Sequence, residues 1–292
     1  MYYLELLLVG LVWGCTYAMM ALGLTLVYGL LRILHVAQAT VFTLGAYVGL
    51  LVANHVQSLA AAFVAAALAA GLLGPLIYRL VYQPILDKPP FVALIASIGL
   101  LIAMEDGFRL LFGPYGLSFT ANTWFTTTYA LAGMHLNLVQ LWMMAAAIVL
   151  LSAFAVFATR TRTGVAWRAT VSDPAMAESF GVSVKQVRYL AFFIASLLAG
   201  VAGVLVGLLN NLVEPGMGSV ISYKGLAIIV LGGLGNVPGT LLASLILGVV
   251  ESYGTVFLDK VMDRDAIAFA FLIAVLMLRP HGLLGGRQGA RQ

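Results

Sequence analysis

Uncharged apolar runs recur from one end of this 292-residue chain to the other, at 60–76, 145–157 and 266–278 among other places, and they constrain the fold more than any other feature. A helix needs roughly 20 mostly apolar residues to cross a bilayer. One such run would be an anchor; a series of them defines a polytopic membrane protein, with each backbone N–H and C=O bonded inside its own helical segment. The charges agree with this. Asp, Glu, Lys and Arg make up 9% of the residues, against about 25% in soluble domains, too few to cover a surface in water. A soluble enzyme is excluded, and residues 1–292 read as a single all-α transmembrane domain.

Candidate spans fall at 4–28, 36–53, 59–82, 92–112, 137–158, 189–209, 239–257 and 266–279, with a shorter apolar piece at 224–235, so a bundle of about eight or nine spans is expected. The first run is too long for a cleaved signal peptide and lacks its basic start. Short loops rich in Lys and Arg face the cytoplasm, and segment 159–188 carries Arg160, Arg162, Arg168, Lys185 and Arg188. From that anchor the 83–91 loop with Lys88 and the turn with Arg32 fall inside, while 54–58 and 113–136, which have no Lys or Arg, fall outside. The N-terminus is then expected outside and the tail with Arg279, Arg287 and Arg291 inside. The net charge of +4 belongs to those cytoplasmic loops and gives no reason to expect a nucleic-acid partner. Cys15 is the sole cysteine, so neither an intrachain disulfide nor a cysteine metal site is available, and no cofactor is implied.

Two places interrupt the apolar pattern. Gly29, Arg32, His35 and Gln38 separate the first two spans. Farther on, the piece from Lys224 ends in Gly232, Gly233, Gly235, Asn236, Pro238 and Gly239, and orientation requires it to cross most of the membrane. Such a stretch is either a tight turn between two ordinary spans or a broken helix of the kind that lines transport paths. His35, Gln38 and Thr40 follow the first break and can point into the bundle, as candidate pathway groups or as ordinary helix contacts. Glu105, Asp106 and Arg109 are the other pathway candidates. Glu105 and Arg109 have the i,i+4 spacing of an ion pair, which suits a structural anchor as well as a solute contact. Lys224 is placed at the outer membrane surface, its ammonium snorkelling to water. The Gly10–Gly14, Gly45–Gly49 and Ala199–Gly203–Gly207 spacings read as helix-packing positions.

Inside segment 159–188, Asp173-Pro-Ala-Met-Ala-Glu-Ser-Phe-Gly181 predicts a short free-standing helix. Ser172 or Asp173 can cap it, Pro174 suits its first turn, Glu178 belongs to it, and Gly181 can end it in the left-handed conformation. Two turns of helix are marginal in water unless packed on something. Met176 and Phe180, with Ala177 between them, make a stripe that fits a groove on another protein or lies on the membrane face.

The run 169–205 containing this helix, the Gly23-Leu-Thr-Leu-Val-Tyr-Gly29 block leading to Leu44-Gly-Ala-Tyr47, the 224–239 stretch and Leu278-Arg-Pro-His-Gly-Leu283 together resemble the permease subunits of branched-chain amino acid ABC importers of the LivH type. The resemblance covers nearly the whole chain. It implies an ABC importer permease fold in the bacterial inner membrane, with Asp173, Pro174, Met176, Ala177, Glu178, Phe180 and Gly181 docking on ATP-binding subunits. It also implies a second, LivM-like permease and a soluble binding protein that delivers a small-molecule solute. One departure matters: the family pattern Asn-x-Ala-His-Gly-Glu is here His35-Val-Ala-Gln38-Ala39-Thr40, a less flexible and less charged stretch.

The chain has no Gly-x-x-x-x-Gly-Lys-Ser/Thr phosphate loop, so energy for uptake has to come from a partner and the chain is not itself expected to be an enzyme. Neither Gly-x-Ser-x-Gly nor His-Glu-x-x-His occurs, which removes intramembrane hydrolases. The reading is a permease subunit of an ATP-driven importer for branched-chain or related small amphipathic amino acids. The alternative is a stand-alone secondary transporter or channel.

Overall fold

A helix that is apolar on every side is stable only in lipid or packed in protein, and the computed structural model contains both kinds. It describes residues 2–120, 128–131, 134–258, 262–279 and 282–284. Helix α1 (Tyr2–Leu31) is followed by a six-residue break and α2 (Gln38–Val56). Ser58 caps α3 (Leu59–Ile77) through the Ala61 N–H, and the chain continues through a π turn at Tyr78–Tyr82 and a 3-10 turn at Gln83–Ile85. Pro75, which lacks an N–H, lies in the last turns of α3, where the regular hydrogen-bond ladder gives way. Then come α4 (Pro90–Phe112), a two-stranded antiparallel ribbon of β1 (Thr128–Leu131) and β2 (Met134–Asn137), and α5 (Leu138–Arg160). Two short helices, α6 (Arg162–Ser172) and α7 (Pro174–Ser179), lead into α8 (Val184–Asn210), α9 (Met217–Gly232), α10 (Val237–Phe257) and α11 (Arg264–Leu278).

Among the described residues seven helices are long and apolar enough to cross a membrane, and α9 is a shorter apolar one. With α11 these correspond one for one to the expected segments. Three details differ. The ribbon lies in the 113–136 segment, read only as a loop. Helix α8 starts at Val184, so Lys185 and Arg188 belong to its first turns. Helix α9 starts at Met217, inside the expected 210–223 loop. Its Gly218 signals a breaker in isolation, but it is where α9 meets α2: a Cβ there would run into the Ala39 carbonyl. The tail with Arg287 and Arg291, and His281 of the C-terminal block, lie outside the described residues.

Helices α1 and α8 form the centre. Within its membrane window α8 is 78% buried, against 22% for each of α4 and α5. Glycines set two of the close crossings. A Cβ on Gly10 would lie 2.7 Å from Val249 Cα and one on Gly14 2.9 Å from Leu245 Cα, which brings α1 against α10; a Cβ on Gly45 would strike the Gly200 backbone, which brings α2 against α8. Small residues at such spacings let backbones approach and so maximise van der Waals contact where lipid offers no hydrophobic drive.

Candidate translocation and coupling elements

The break between α1 and α2 sits in the protein interior. Arg32 takes a left-handed conformation (φ 55°), and its N–H reaches the Tyr28 carbonyl at 2.8 Å as α1 ends. The freed polar groups of the break are taken up by four helices. The Ala37 N–H donates to Ser97 Oγ of α4 at 2.9 Å, and Ser222 Oγ of α9 donates to the Val36 carbonyl at 3.4 Å. His35 Nδ1 pairs with Tyr82 Oη of the π turn at 2.6 Å, and its ring rests against Phe192 of α8, centroids 5.4 Å apart. Gln38 Nε2 donates to the Ala195 carbonyl of α8 at 2.8 Å. Thr40 Oγ1 donates to the Ala37 carbonyl at 2.8 Å and lies 3.2 Å from Met104 Sδ. All three side chains are buried. Three buried polar atoms here have no hydrogen-bond partner: His35 Nε2, Gln38 Oε1 and Ser196 Oγ. An orphaned buried group costs about 1–3 kcal/mol, and three of them gather around one stretch of α8. Ser196 and Tyr82 went unnoticed in the sequence, since a lone serine or tyrosine in an apolar run carries no signal of its own.

Glu105, Asp106 and Arg109 are not brought into that cluster. Arg109 pairs with Glu105 at 2.6 Å and Asp106 at 3.0 Å near the C-terminal end of α4, with the Arg109 and Asp106 side chains about half exposed. Glu105 is the more buried and accepts from Ser219 Oγ of α9 at 3.3 Å. Thr40 reaches only the preceding residue, Met104. The spacing thus yields the ion pair it suggests, at the rim.

Of the two readings of the glycine-rich stretch, the structure contains the turn. Helix α9 runs unbroken to Gly232; Gly233 and Gly235 adopt positive φ (96° and 80°), and Asn236 accepts from the Gly239 N–H at 3.1 Å to cap α10, whose first turn includes Pro238. Gly232 and Gly239 pack backbone to backbone, where a Cβ on Gly232 would lie 2.5 Å from Thr240 N. The turn lies at the bundle end that holds α6: a Cβ on Gly235 would be 3.9 Å from Gly29 Cα, and one on Gly29 3.4 Å from Val171.

At that same end α6 and α7 form an outlying shelf. Thr161 caps α6 through the Gly164 N–H at 3.0 Å, and Trp167 meets Phe154 of α5 edge to face. Asp173 Oδ1 then accepts from the Met176 N–H at 3.0 Å to cap α7, with Pro174 in the first turn. Past Phe180 the chain turns at Gly181 (φ 82°), and the Val182 N–H returns to the Ala177 carbonyl at 3.0 Å. Ala177 is the buried contact of α7, whereas Met176 is 55% and Phe180 82% exposed. Glu178 is exposed beside them.

Lys224 is not at the surface. It is buried among α1, α9, α10 and α11, with Nζ 3.0 Å from Glu251 Oε1, 2.7 Å from Asp265 Oδ1 and 3.3 Å from Tyr17 Oη. Tyr17 donates to Glu251 Oε2 at 2.6 Å, and Arg264 Nε donates to the same oxygen at 2.9 Å with its guanidinium over the Trp13 ring. Two cations and two anions balance, which is how ionisable groups survive inside a membrane bundle. Glu251, isolated in an apolar span, was the available signal: a buried acid needs a cation.

Two central helices with packing glycines, an interior break and a capped shelf at one end define a polytopic helical membrane protein. The matches to known proteins carry this further. The profile of the family described as "branched-chain amino acid transport system / permease component" matches residues 6–278. The high-affinity branched-chain amino acid transport system permease protein LivH of Salmonella typhimurium is 30% identical, covering 98% of this chain and 96% of its own length. BraD, the corresponding permease protein of Pseudomonas aeruginosa, is also 30% identical over 97% of this chain. LivM of Escherichia coli is 31% identical over 51% of this chain. No solved structure matches with significance. The chain belongs to the branched-chain amino acid transport permease family.

Proposed function

We propose that this chain is a translocation-path subunit of an ATP-driven importer for branched-chain or related small amphipathic amino acids. It works with a second, LivM-like permease, separate ATP-binding subunits that hydrolyse the nucleotide, and a soluble binding protein that delivers the solute. The N-terminus faces outside and the C-terminus the cytoplasm, with α6 and α7 on the cytoplasmic side. The observation that carries the reading is α7: a capped two-turn helix that leaves Met176 and Phe180 uncovered by the rest of the chain. Such an anchor pair fits a partner's groove. A nucleotide-driven movement of the partner, pressed onto α7, would be passed through α6 to α5 and α8 and shift the bundle between two packings. His35, Gln38, Thr40 and Ser196 are the path's polar groups, and Glu105, with Asp106 and Arg109, shapes its rim.

A stand-alone ion-coupled carrier is less well supported. It would couple the ion to a buried acid free of cationic partners, whereas the buried acid here, Glu251, is neutralised from both sides. The test is uptake of radiolabelled leucine into proteoliposomes holding the chain with its permease, ATP-binding and binding-protein partners. Uptake should require ATP on the ATP-binding-subunit side. Uptake by this chain alone under an ion gradient would overturn the reading.

A further inference from the structure

A groove of about 590 Å³ opens between the π and 3-10 turns that follow α3 and the start of α8, lined by Arg79, Gln83, Pro84, Lys185 and Tyr189. The Tyr189 hydroxyl donates to Gln83 Oε1 at 2.8 Å, which ties the two walls together. Arg79 and Lys185 are both exposed, and neither forms an ion pair with a described acid, Asp87 in the following turn included. Two like charges sharing one groove repel each other, and a bound anion removes that repulsion. The surface leading to the groove is apolar. Leu72 and Leu76 on α3 and Leu80 in the π turn that follows recur every four residues, all exposed, and Leu80 is next to Arg79 in the chain.

We propose that this groove holds the anionic headgroup of a membrane phospholipid, its phosphate between Arg79 and Lys185 and an acyl chain along Leu72, Leu76 and Leu80. The guanidinium offers a fork to phosphate oxygens and the ammonium a mobile second charge. A tyrosine with its ring against the bundle and its hydroxyl at the polar end marks the headgroup level. The continuous leucine track favours a lipid over an acidic protein surface, which would have no use for it, and over a free phosphate ion, which would gain nothing from it. Basic pockets between spans at the cytoplasmic leaflet are the usual form of such recognition.

The test uses the full-length chain in detergent, titrated with phosphatidylglycerol or with phosphatidylcholine of the same acyl chains and read by native mass spectrometry. The wild-type chain should retain the anionic lipid about tenfold better than the zwitterionic one, two cations each contributing at the surface. Arg79→Gln/Lys185→Gln should make the two lipids equal, Arg79→Lys/Lys185→Arg should keep the preference, and Arg162→Gln should not change it. Lys185→Gln alone, an exposed change in the first turn of α8, should at least halve the preference and stands in if the double variant does not fold. A preference untouched by these glutamines overturns the proposal. So does displacement by glycerol phosphate at the lipid's own concentration, which would make the groove a soluble-anion site. Loss of co-purifying ATP-binding subunits with lipid preference intact would make it a protein contact and equally overturn it.

Discussion

Lys224 shows how differently two ion pairs of one chain behave. Arg109 and Glu105 sit one helical turn apart and meet at the rim, where exposed pairs contribute about 0–1 kcal/mol. Lys224 and Glu251 come from different helices and meet in the interior, where removing one partner of a pair costs about 3–5 kcal/mol. Lys224→Met should therefore lower the unfolding midpoint in detergent sharply, and Lys224→Met/Glu251→Gln should recover part of the loss, whereas Arg109→Met should barely move it. Scanning thermal unfolding of the three variants checks this. The first pair could be read from spacing because a helix fixes its own i,i+4 neighbours. The second could not, since the sequence says only that Glu251 lacks a partner on its own span, and Lys224, beside a supposed loop, looked free to reach water. The orphaned atoms of His35, Gln38 and Ser196 were half legible: the break exposed the first two, and nothing in an apolar run singles out Ser196.

At the scale of an element, α7 follows its local signals closely. Asp173, Pro174 and Gly181 act within a few residues of chain, so cap chemistry suffices to place both ends. Asp173→Ala should cost about 1 kcal/mol of local stability, seen as faster hydrogen exchange at residues 176–180 with the spans unaffected. Phe180→Asp should leave the unfolding midpoint unchanged and abolish co-purification of the ATP-binding subunits; a complex that survives would mean α7 is not the docking element. Helix α9 shows the opposite case. Its first turns contain Gly218 and follow Pro215 and Gly216, residues that argue for a loop, yet the helix begins there because Gly218 lets it lie directly on α2. Tertiary contact outweighed local preference, and local preference was all the sequence could express.

For the molecule as a whole, the order of the apolar helices and roughly the number of spans were readable from apolar runs, and which span lies beside which was not. Helices that are apolar all round carry no face that names a neighbour; the partners are set by where backbones can approach. The α1–α10 crossing at Gly10, Gly14 and Gly248 and the α2–α8 crossing at Gly45 and Gly200 are those places. Gly45→Leu, with no room at the Gly200 backbone, should abolish monodisperse extraction from the membrane, while Gly107→Leu on α4, which faces open space, should not; size-exclusion profiles distinguish the two. The tight α9–α10 turn also bears on how the protein is made. A charged residue entering the bilayer alone on its helix costs about 2.5–3.5 kcal/mol, and both Lys224 and Glu251 lie mid-chain in helices joined by Gly233–Asn236. Released from the translocon as one hairpin, the two helices would bring their opposite charges in already paired, so that neither crosses the lipid unaccompanied and α11 has a neutral site to join.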